Sequence, residues 1–479
     1  MRIYHFFSKN TRDNKDSRSR KDSNDNRDSI IGRKDGNDNR NSIMGRNRKL
    51  MIGVKATICF IILFIIIIRI KNIIRDKKED KTALTLKDNL QTEFLSDVKV
   101  STFIEHLNGT LISDDIIDTT SLGTKTVKVN YKNTRGKKKH KSYQITIVDT
   151  EKPKIFLSSS TVSVQKGYNK NIINLFLSGD NCDSNPERQI IGNYDLNTPG
   201  TYDLTFEIKD ASGNKESKNF KLKVNEISKS SSSTTTNNTT TTNKNNKQFS
   251  DIVEKYCQKV KSSDNSANLN NNYENVNNSN NSDNKYISAG IDVSSWQGDI
   301  DWKKVKESGC DFAFIRVGYQ NGRNGEISED KCFKANIENA ISNNIKVGIY
   351  FYSCAQTIEE TQEQAKWTIE KIKSYNISLP VAFDWEEWNS FADYKLSFYG
   401  ISKLADAFIN VCKDNGYDGI LYSSKNYLET IWHQELFPNI WLAQYANTAT
   451  YNKSYNYWQM CNTGRIDGIK GDVDIDLAN

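Results

Sequence analysis

The sequence predicts a multidomain fold class: an α/β barrel domain at the C-terminus, two smaller all-β sandwich domains before it, one transmembrane helix and a disordered N-terminal arm. Three observations lead to this prediction. The chain has 479 residues, which is too long for one ordinary domain. Its composition changes along its length, since all eight tryptophans lie beyond Ser295. Short alternating strand patterns before residue 226 give way to alternating strand and helix patterns after residue 285.

The formal charge of +7 is divided unevenly along the chain. The stretch from Tyr286 to the end has 18 Lys and Arg against 26 Asp and Glu, so the basic excess belongs to the N-terminal side. The eight cysteines are scattered singly and the chain has four histidines, which gives no support to zinc or iron–sulfur motifs. We expect no metal site and no cofactor, and we expect no nucleic-acid partner.

The sequence of the N-terminal region predicts a disordered arm followed by a membrane anchor. Residues 1–49 are polar and contain a tandem repeat over residues 21–46, a composition that predicts disorder. The apolar run Leu50–Ile68 predicts a signal-anchor helix that spans a membrane over residues 50–71. Its uncharged core, Ala56–Ile68, is shorter than the roughly 20 residues expected of a span, so a buried core helix or a signal-peptide segment is the alternative.

Residues 82–152 and 153–225 each predict a β-sandwich module, because the same hairpin pattern, with glycines thirteen residues apart, occurs in both. The paired glycines are Gly123 and Gly136 in the first copy, and Gly200 and Gly213 in the second. The second module contains Gly179-Asp180, Thr198-Pro-Gly-Thr-Tyr202 and Asp210-Ala-Ser-Gly-Asn214. With these motifs it resembles the bacterial immunoglobulin-like modules of surface proteins, and the first module resembles them less closely. The resemblance implies a role in spacing or adhesion.

Two further stretches surround these modules. The basic run Arg135–Lys141 falls at a hairpin turn and is interpreted as a solvated turn, with contact to an anionic wall polymer or to lipid headgroups as the alternative. Residues 226–285 are rich in Ser, Thr and Asn. This composition predicts a flexible linker, interrupted by a short helix at Phe249–Val260.

The last domain, residues 286–479, predicts a modified TIM-like β/α barrel. Its end departs from the regular eightfold pattern, because the last three strands leave little room for helices. The predicted strands are Ile287–Val293, Asp311–Tyr319, Lys346–Ser353, Val381–Glu386, Gly419–Ser424, Asn439–Tyr445, Tyr455–Met460 and Asp472–Leu477. The predicted helices are Trp302–Ser308, Ser328–Asn343, Ile358–Tyr375 and Ser397–Asn415.

The central strand of this domain ends in carboxylates. Strand alternation places Asp384 and Glu386 on one face, and Trp385 and Glu387 on the other. Two acids held close at the carboxyl end of a barrel strand cannot ionise independently, so one of them can keep a proton and donate it. A proton donor and a charged carboxylate are the two groups that cleavage of a glycosidic bond requires at least. The alternative is a strand end followed by an acidic, solvated turn.

Six motifs follow one another along the last domain. They are Gly290–Gly298, Phe314–Gly318, Val347–Tyr350, Phe383–Glu386, Trp441–Tyr445 and Gly471–Asp476. Together they resemble glycoside hydrolase family 25, the Chalaropsis-type lysozymes, over residues 287–479. The resemblance implies a modified β/α barrel that hydrolyses the β-1,4 bond between N-acetylmuramic acid and N-acetylglucosamine in peptidoglycan.

The resemblance also implies four catalytic residues. Glu386 corresponds to the general acid, Asp384 to its charged partner, Asp292 to the acid that closes the first strand and Asp474 to the acid in the last strand. One position departs from the pattern, because Asp476 stands where the family usually has Asn. Its extra charge would either raise the pKa of a neighbour or point outward.

Two mechanisms remain open from the residues. Water or a carboxylate attacks with Asp384 assisting, or the acetamide oxygen of the substrate attacks while Asp384 orients it; the Asp-x-Glu spacing favours the second. Aromatic residues near the acids predict contacts with sugar rings, with core packing as the alternative. We expect Arg316 to pair with an acid inside the barrel, and Glu387 and Trp388 to lie on the rim. The predicted substrate-binding residues are Trp296, Arg316, Tyr319, Tyr350, Tyr352, Tyr422, Trp441 and Tyr445.

These expectations combine into one functional hypothesis and one alternative. The first is a membrane-anchored muramidase that cleaves peptidoglycan glycan strands, with its N-terminus in the cytoplasm and its later domains outside, facing the bacterial cell wall. The second is a catalytically inactive wall-binding or assembly protein that uses the same groove. The four acids at strand ends favour the first hypothesis.

Overall fold

The computed structural model describes part of the chain. The described residues are 55, 57–73, 81–227, 247–257 and 286–479. The disordered arm predicted over residues 1–49 lies outside them. The same holds for residues 228–246 and 258–285 of the predicted linker.

Residues 57–73 form helix α1. Within the described residues, no helix is both long and apolar enough to cross a membrane. The transmembrane helix predicted over residues 50–71 is therefore not found there, and residues 50–54 and 56 of that prediction lie outside the described residues. The described helix falls short of the roughly 20 apolar residues of a span, and it carries Arg69 and Lys71 close to its end.

The first β module contains six strands arranged in two sheets. They are β1 (Leu84–Leu86), β2 (Gln91–Glu93), β3 (Ile104–Leu107), β4 (Thr110–Leu111), β5 (Gly123–Lys132) and β6 (Lys138–Val148). One sheet has the order β2-β6-β5-β4 and the other pairs β1 with β3. Phe103, Val129, Ile145 and Ile147 fill the core of the module.

The second module repeats this arrangement. Its strands are β7 (Lys154–Phe156), β8 (Thr161–Gln165), β9 (Leu177–Gly179), β10 (Glu187–Ile191), β11 (Gly200–Lys209) and β12 (Lys215–Asn225). One sheet has the order β10-β11-β12-β8 and the other pairs β7 with β9. The repeated hairpins are found as β5–β6 and β11–β12, and Gly136 and Gly213 occupy their turns with φ of 74° and 98°. Glycine repeats at these turns because other residues rarely adopt a positive φ. The immunoglobulin-like assignment of both modules stays a prediction.

The C-terminal domain is a closed barrel of eight strands. Its strands are β14 (Ser288–Val293), β15 (Phe312–Gln320), β17 (Lys346–Tyr352), β18 (Val381–Asp384), β19 (Gly419–Ser424), β20 (Ile440–Ala443), β21 (Tyr457–Arg465) and β22 (Val473–Ala478). The short strands β13 (Lys247–Gln248) and β16 (Ile327–Glu329) pair with β21 and β15 outside this circle. The strands from β14 to β21 are parallel in sequence order, and β22 closes the barrel by running antiparallel to both β14 and β21.

All eight predicted barrel strands are found, with two differences in geometry. The last strand is antiparallel because the short loop before it is too brief for the crossover that a parallel strand requires. The central strand ends at Asp384 instead of Glu386. The predicted scarcity of helices at this end of the domain is confirmed, since no helix separates β20, β21 and β22.

The remaining helices of the described residues cover the outside of the barrel. They are α2 (Phe249–Tyr256), α3 (Trp302–Glu307), α4 (Phe333–Ser342), α5 (Ile358–Ile372), α6 (Phe391–Tyr394), α7 (Phe398–Asp414) and α8 (Lys425–Thr430). The helix predicted from Ser328 begins only at Phe333, because strand β16 occupies residues 327–329. The other predicted barrel helices are found within a few residues of their expected bounds.

Alternate residues of the barrel strands face two different cores. Ile315, Phe351 and Phe383 pack outward against the helices. Phe314 and Trp441 point into the barrel and stack, with ring centroids 4.2 Å apart. These rings fill the floor of the barrel and leave the functional groups at its open end.

Part of the predicted linker belongs to the barrel. Helix α2 lies where the sequence predicts a short helix, and it ends at Tyr256. Phe249 and Ile252 are buried in the main core, and the ring of Tyr256 meets Trp458 edge-on at 6.3 Å. The apolar face of α2 therefore packs on the barrel and is not solvated.

Both β modules also contact helix α7 of the barrel domain. Phe94 of the first module packs edge-on against Tyr399 at 5.6 Å, and Phe156 of the second packs against Phe398 at 6.3 Å. Gly179 lies so close to Phe398 that a Cβ there would be 2.7 Å from its ring. The residues after β9 therefore lie directly on the N-terminal turn of α7.

Candidate active site

Three acids come from the strands at one end of the barrel. Asp384 is the last residue of β18, and it lies between Tyr352 and Tyr422 of the neighbouring strands. Asp292 of β14 pairs directly across the ladder with Asp474 of β22. Because β22 is antiparallel, the start of this strand lies at the carboxyl end of the parallel strands. The strand order therefore brings together acids from remote parts of the sequence.

Glu386 also lies near these acids, but not as part of the strand from which alternation predicts its direction. The strand has ended at Asp384, and Glu386 has φ of −129° and ψ of 15°, just before a 3₁₀ turn over Glu387–Ser390. Its carboxylate nevertheless lies within electrostatic range of two other acids, because its charge raises the pKa of both Asp384 and Asp474. All four predicted catalytic acids therefore meet at one mouth.

Asp384 is buried and incompletely hydrogen-bonded. It is 5% exposed, and its Oδ1 atom has no hydrogen-bond partner in the described residues. Burial raises the pKa of Asp384 well above its usual value, the charge of Glu386 adds to this, and Arg316 opposes it. A buried acceptor without a partner is costly, so Oδ1 is suited to accept a hydrogen bond from a bound ligand.

Glu386 has the properties of a proton donor. Its side chain is exposed at the mouth. Desolvation of its carboxyl group raises the pKa of Glu386, and the charge of Glu387 raises it further. Glu387 itself is held by the Tyr352 hydroxyl at 3.0 Å and the Ser390 hydroxyl at 3.1 Å. A carboxyl group that keeps its proton and is open to ligand can act as a general acid.

Asp476 points into the barrel. Of the two outcomes that the sequence leaves open, the outward direction is therefore wrong, and the effect on the pKa of a neighbour is the one found. It is fully buried, and its Oδ1 accepts a hydrogen bond from Trp441 Nε1 at 2.7 Å. Burial, followed by the charge of Asp474, raises the pKa of Asp476 to about 7. Burial also raises the pKa of Asp292 well above its usual value, and Asp474 and Asp476 add to this. Oδ2 of Asp476 has no hydrogen-bond partner in the described residues, so a negative charge on this buried carboxyl group is poorly compensated.

The buried Asp476 predicts a pH-dependent stability. Because the pKa of Asp476 is raised in the folded state, the folded chain binds more protons than the unfolded chain between pH 4 and 7, and stability falls as the pH rises through that window. Asp476→Asn removes this titration, and its amide oxygen can keep the hydrogen bond from Trp441. We expect the melting temperature of the barrel transition to rise by roughly 4 °C or more at pH 8 and to change little at pH 4.5. An equal shift at both pH values, measured by calorimetry beside the surface variant Asp203→Asn, would contradict the raised pKa of Asp476.

Arg316 pairs with an acid, as expected, and the partner is Asp330. Its Nη2 and Nε atoms lie 2.7 and 2.8 Å from Asp330 Oδ2, and the side chain of Asp330 is fully buried. Asp330 also accepts the backbone N–H of Ser295, which fixes the loop that carries Trp296. The guanidinium lies over the ring of Tyr319 at 5.2 Å. The pair therefore positions a positive charge beside Asp384.

The aromatic residues predicted to contact sugar rings differ in how exposed they are. Trp296 and Tyr445 are 85% and 56% exposed. Tyr319, Tyr350 and Tyr352 are partly buried. Tyr422 and Trp441 are buried, at 8% and 2% exposure. Trp441 contacts Phe314 and Asp476 in the floor, so its environment is that of a packing residue and not of a surface for sugar. Trp388 is likewise buried among aromatic rings, not exposed on the rim as expected.

Gln459 belongs to the site and is absent from the predicted set. Its Nε2 donates to Asp292 Oδ2 at 2.7 Å, and its Oε1 accepts from the hydroxyls of Tyr422 and Tyr445 at 2.9 and 3.2 Å. Gln459 thus ties an acid to two aromatic residues. Its signal in the sequence is weak: a polar residue at an inward position of the predicted strand Tyr455–Met460.

The comparisons with known proteins concern this domain. Residues 291–469 match the family model for glycosyl hydrolases family 25. Lysozyme M1 from Streptomyces globisporus is 28% identical over 211 residues, which cover 40% of this chain and 67% of the relative. The uncharacterized protein YegX from Escherichia coli (strain K12) is 26% identical over 199 residues, which cover 40% of this chain and 70% of the relative.

Solved structures match the same part of the chain. The modular autolysin LytC from Streptococcus pneumoniae, in complex with a synthetic peptidoglycan ligand, is 30% identical with a TM-score of 0.36. The match covers 40% of this chain, and it spans only 46% of the autolysin. A bacterial lysozyme from Streptomyces coelicolor is 28% identical with a TM-score of 0.34, over 40% of this chain and 92% of the lysozyme. By the family model and the sequence relatives, the barrel at the C-terminus of this chain is similar to glycosyl hydrolases family 25.

Proposed function

We propose that the barrel is an N-acetylmuramidase that hydrolyses the β-1,4 bond between N-acetylmuramic acid and N-acetylglucosamine in peptidoglycan. One observation carries this proposal: the exposed Glu386, with its raised pKa, lies beside the buried Asp384, whose Oδ1 lacks a partner. A proton donor next to a buried acceptor is the pairing that glycoside hydrolysis requires. The family match and the lysozyme relatives support the same reaction.

In the proposed reaction, Glu386 donates its proton to the glycosidic oxygen as the bond from the anomeric carbon to that oxygen breaks. The free Oδ1 of Asp384 accepts the N–H of the substrate's 2-acetamido group, and the acetamide oxygen then attacks the anomeric carbon. Glu386, now ionised, takes a proton from the water that opens the cyclic intermediate. Both carboxylates return to their starting states. The alternative, in which water attacks directly, leaves Oδ1 of Asp384 without this partner.

The other residues of the mouth support this chemistry. Arg316 limits the rise in the pKa of Asp384, so that this acid can carry a negative charge against the positive charge of the intermediate. Trp296 and Tyr445 offer exposed aromatic faces on which sugar rings can pack. Asp292, Asp474 and Gln459 offer hydrogen-bonding groups for sugar hydroxyls.

A peptidoglycan digest tests the reaction and its alternative. The purified chain is incubated with insoluble peptidoglycan, the new reducing ends are reduced with borohydride, and the amino sugar alcohols are identified after acid hydrolysis. We expect reduced muramic acid. Reduced glucosamine would contradict cleavage at this bond, and binding without new reducing ends would favour the inactive wall-binding protein.

We also propose that the N-terminal part anchors the chain to a membrane, with residues 1–49 in the cytoplasm and the later domains facing the wall. The apolar run Leu50–Ile68 supports this, as do the exposed apolar side chains of α1, among them Phe60 at 73% and Phe64 at 64%. The two β modules would then act as spacers, and the basic turn at residues 135–141 would meet anionic wall polymer. Deletion of residues 50–71 should release the chain from lipid vesicles in a flotation assay, and continued flotation would contradict the anchor.

A further inference from the structure

A group of buried oxygen atoms lies where the two β modules meet, outside the barrel. Asp149 follows β6, and Asp180 and Cys182 follow β9. One carboxylate oxygen of each aspartate and the Sγ atom of Cys182 all lie within 4.8 Å of one another. Asp180 is fully buried and Asp149 is 5% exposed. The proposed muramidase reaction uses none of these residues.

Three side-chain oxygen atoms at this junction have no hydrogen-bond partner in the described residues. Asp180 Oδ2 accepts the backbone N–H groups of Cys182 and Asp183, at 2.9 and 2.7 Å. Asp149 Oδ2 accepts the thiol of Cys182 at 3.2 Å. Oδ1 of Asp149, Oδ1 of Asp180 and Oδ1 of Asn181 are buried and have no hydrogen-bond partner in the described residues. Each aspartate is thus held in place by one oxygen and presents the other.

The negative charge of this group is not balanced by a protein cation. Among the described residues, neither Asp149 nor Asp180 forms an ion pair with lysine or arginine. Arg188 on the neighbouring strand β10 donates to Ser178 and to the carbonyl oxygen of Pro186 instead. Unpaired carboxylates are costly to bury, so the arrangement calls for a cation or a proton.

The pKa of Asp180 reflects the same lack of a nearby positive charge. Burial raises the pKa of Asp180 to about 6, although two backbone N–H groups oppose the shift. The charges of Asp149 and of Asp210, which is also buried, raise it further. Asp210 is fully used by its own turn, because its two carboxylate oxygens accept the backbone and side-chain N–H groups of Asn214.

We propose that Asp149 and Asp180 bind one calcium ion at the junction of the two β modules, with Asn181 providing a further oxygen ligand. Calcium takes oxygen ligands at about 2.3–2.6 Å, so two oxygens on one ion lie at most about 5 Å apart. One carboxylate oxygen of Asp149 and one of Asp180 lie within 4.8 Å of each other, which fits that limit. Water molecules complete the coordination shell, which is usual for weak calcium sites in extracellular modules.

The chemistry of the free donor atoms favours calcium over zinc. The thiol of Cys182 already donates a hydrogen bond to Asp149 Oδ2. Zinc binds cysteine as the thiolate, whereas calcium prefers carboxylate and amide oxygens. The free donor atoms of this group are all oxygens.

The ion would connect three domains. Asp149 belongs to the first module, and Asp180 and Asn181 belong to the second. The carbonyl oxygens of Asp180 and Asn181 accept the backbone N–H groups of Phe398 and Tyr399, at 2.8 and 3.1 Å, in the first turn of α7. An ion held by these side chains would fix the loop on which the barrel rests. Bound calcium is thus expected to stiffen the connection between the modules and the barrel.

Calorimetric titration of the chelator-treated full chain with calcium chloride tests this site. We expect one site with a Kd of roughly 0.1–1 mM and protection of the loop at residues 180–185 from proteolysis when calcium is present. Asp180→Asn and Asp149→Asn should each weaken binding about tenfold or more, because each removes a charged ligand. Asp203→Asn, which removes a surface carboxylate paired with Lys221 in the same module, should bind calcium normally.

The outcomes separate this site from the muramidase. Absence of a calcium signal with the folded wild-type chain would overturn the proposal, as would equal binding by wild type and both aspartate variants. Zinc chloride binding more tightly than calcium, with loss in Cys182→Ser, would overturn the choice of ion. None of these results depends on peptidoglycan cleavage, so they test the calcium site independently of the proposed reaction.

Discussion

Glu386→Gln is expected to lower kcat on peptidoglycan by about 10²–10⁴-fold and to leave KM nearly unchanged. Glutamine has the size of glutamate and can still hydrogen-bond the glycosidic oxygen, but it has no acid proton to donate. The loss should be smaller on a muramoyl glycoside with a nitrophenol leaving group, because that group departs without protonation. Reducing-end release with both substrates measures the difference.

The matched control is Glu326→Gln in the loop before β16. Glu326 is exposed and is not one of the four acids, so its substitution should leave both rates unchanged. An equal loss on both substrates for Glu386→Gln would show that this residue does not protonate the leaving group. Retention of full activity on peptidoglycan would remove Glu386 from the reaction.

Asp384→Asn is expected to lower kcat by about 10²–10³-fold, because it removes the negative charge that stabilises the intermediate. The variant also has a signature that a purely structural role would not produce. The charge of Glu386 raises the pKa of Asp384. Because repulsion between two carboxylates acts on both of them, removal of the Asp384 charge should let the pKa of Glu386 fall. The alkaline limb of the kcat profile, where Glu386 loses its proton, should then move to lower pH.

A profile of kcat against pH, from about 4 to 9, measures this shift in the residual activity. Asp393→Asn, at a position in α6 outside the four acids, is the matched control and should keep the wild-type profile. An unmoved alkaline limb in Asp384→Asn would indicate that the two carboxylates do not interact.

The sequence predicts the barrel well because its strands are short apolar runs bounded by clear breaks, as at Val381–Asp384. It predicts the backbone conformation at Glu386 poorly, because the alternation of side chains between two faces applies only while the strand continues. Helix α2 shows a second limit. Its polar surroundings predict a flexible linker, whereas Phe249 and Ile252 find a complementary surface on a domain that begins thirty residues later. Such packing depends on contacts that no local pattern contains.

The candidate site shows the same division between local and distant information. Asp292, Asp384, Glu386 and Asp474 are recognisable because each lies at or within two residues of an end of a predicted strand. Asp476 faces the same way as Asp474 because residues two apart in β22 share a face, whereas its hydrogen bond from Trp441 joins residues 35 positions apart. The buried oxygens at Asp149 and Asp180 come from two different modules, so no spacing rule for metal ligands brings them together.

A crystal structure of the Glu386→Gln chain with a bound disaccharide of N-acetylmuramic acid and N-acetylglucosamine tests the central claim most directly. The predicted result places the glycosidic oxygen within hydrogen-bond distance of residue 386, and the acetamide N–H of the muramic acid on Asp384 Oδ1. A disaccharide bound on another face, or one whose acetamide group points away from Asp384, would contradict the proposed chemistry.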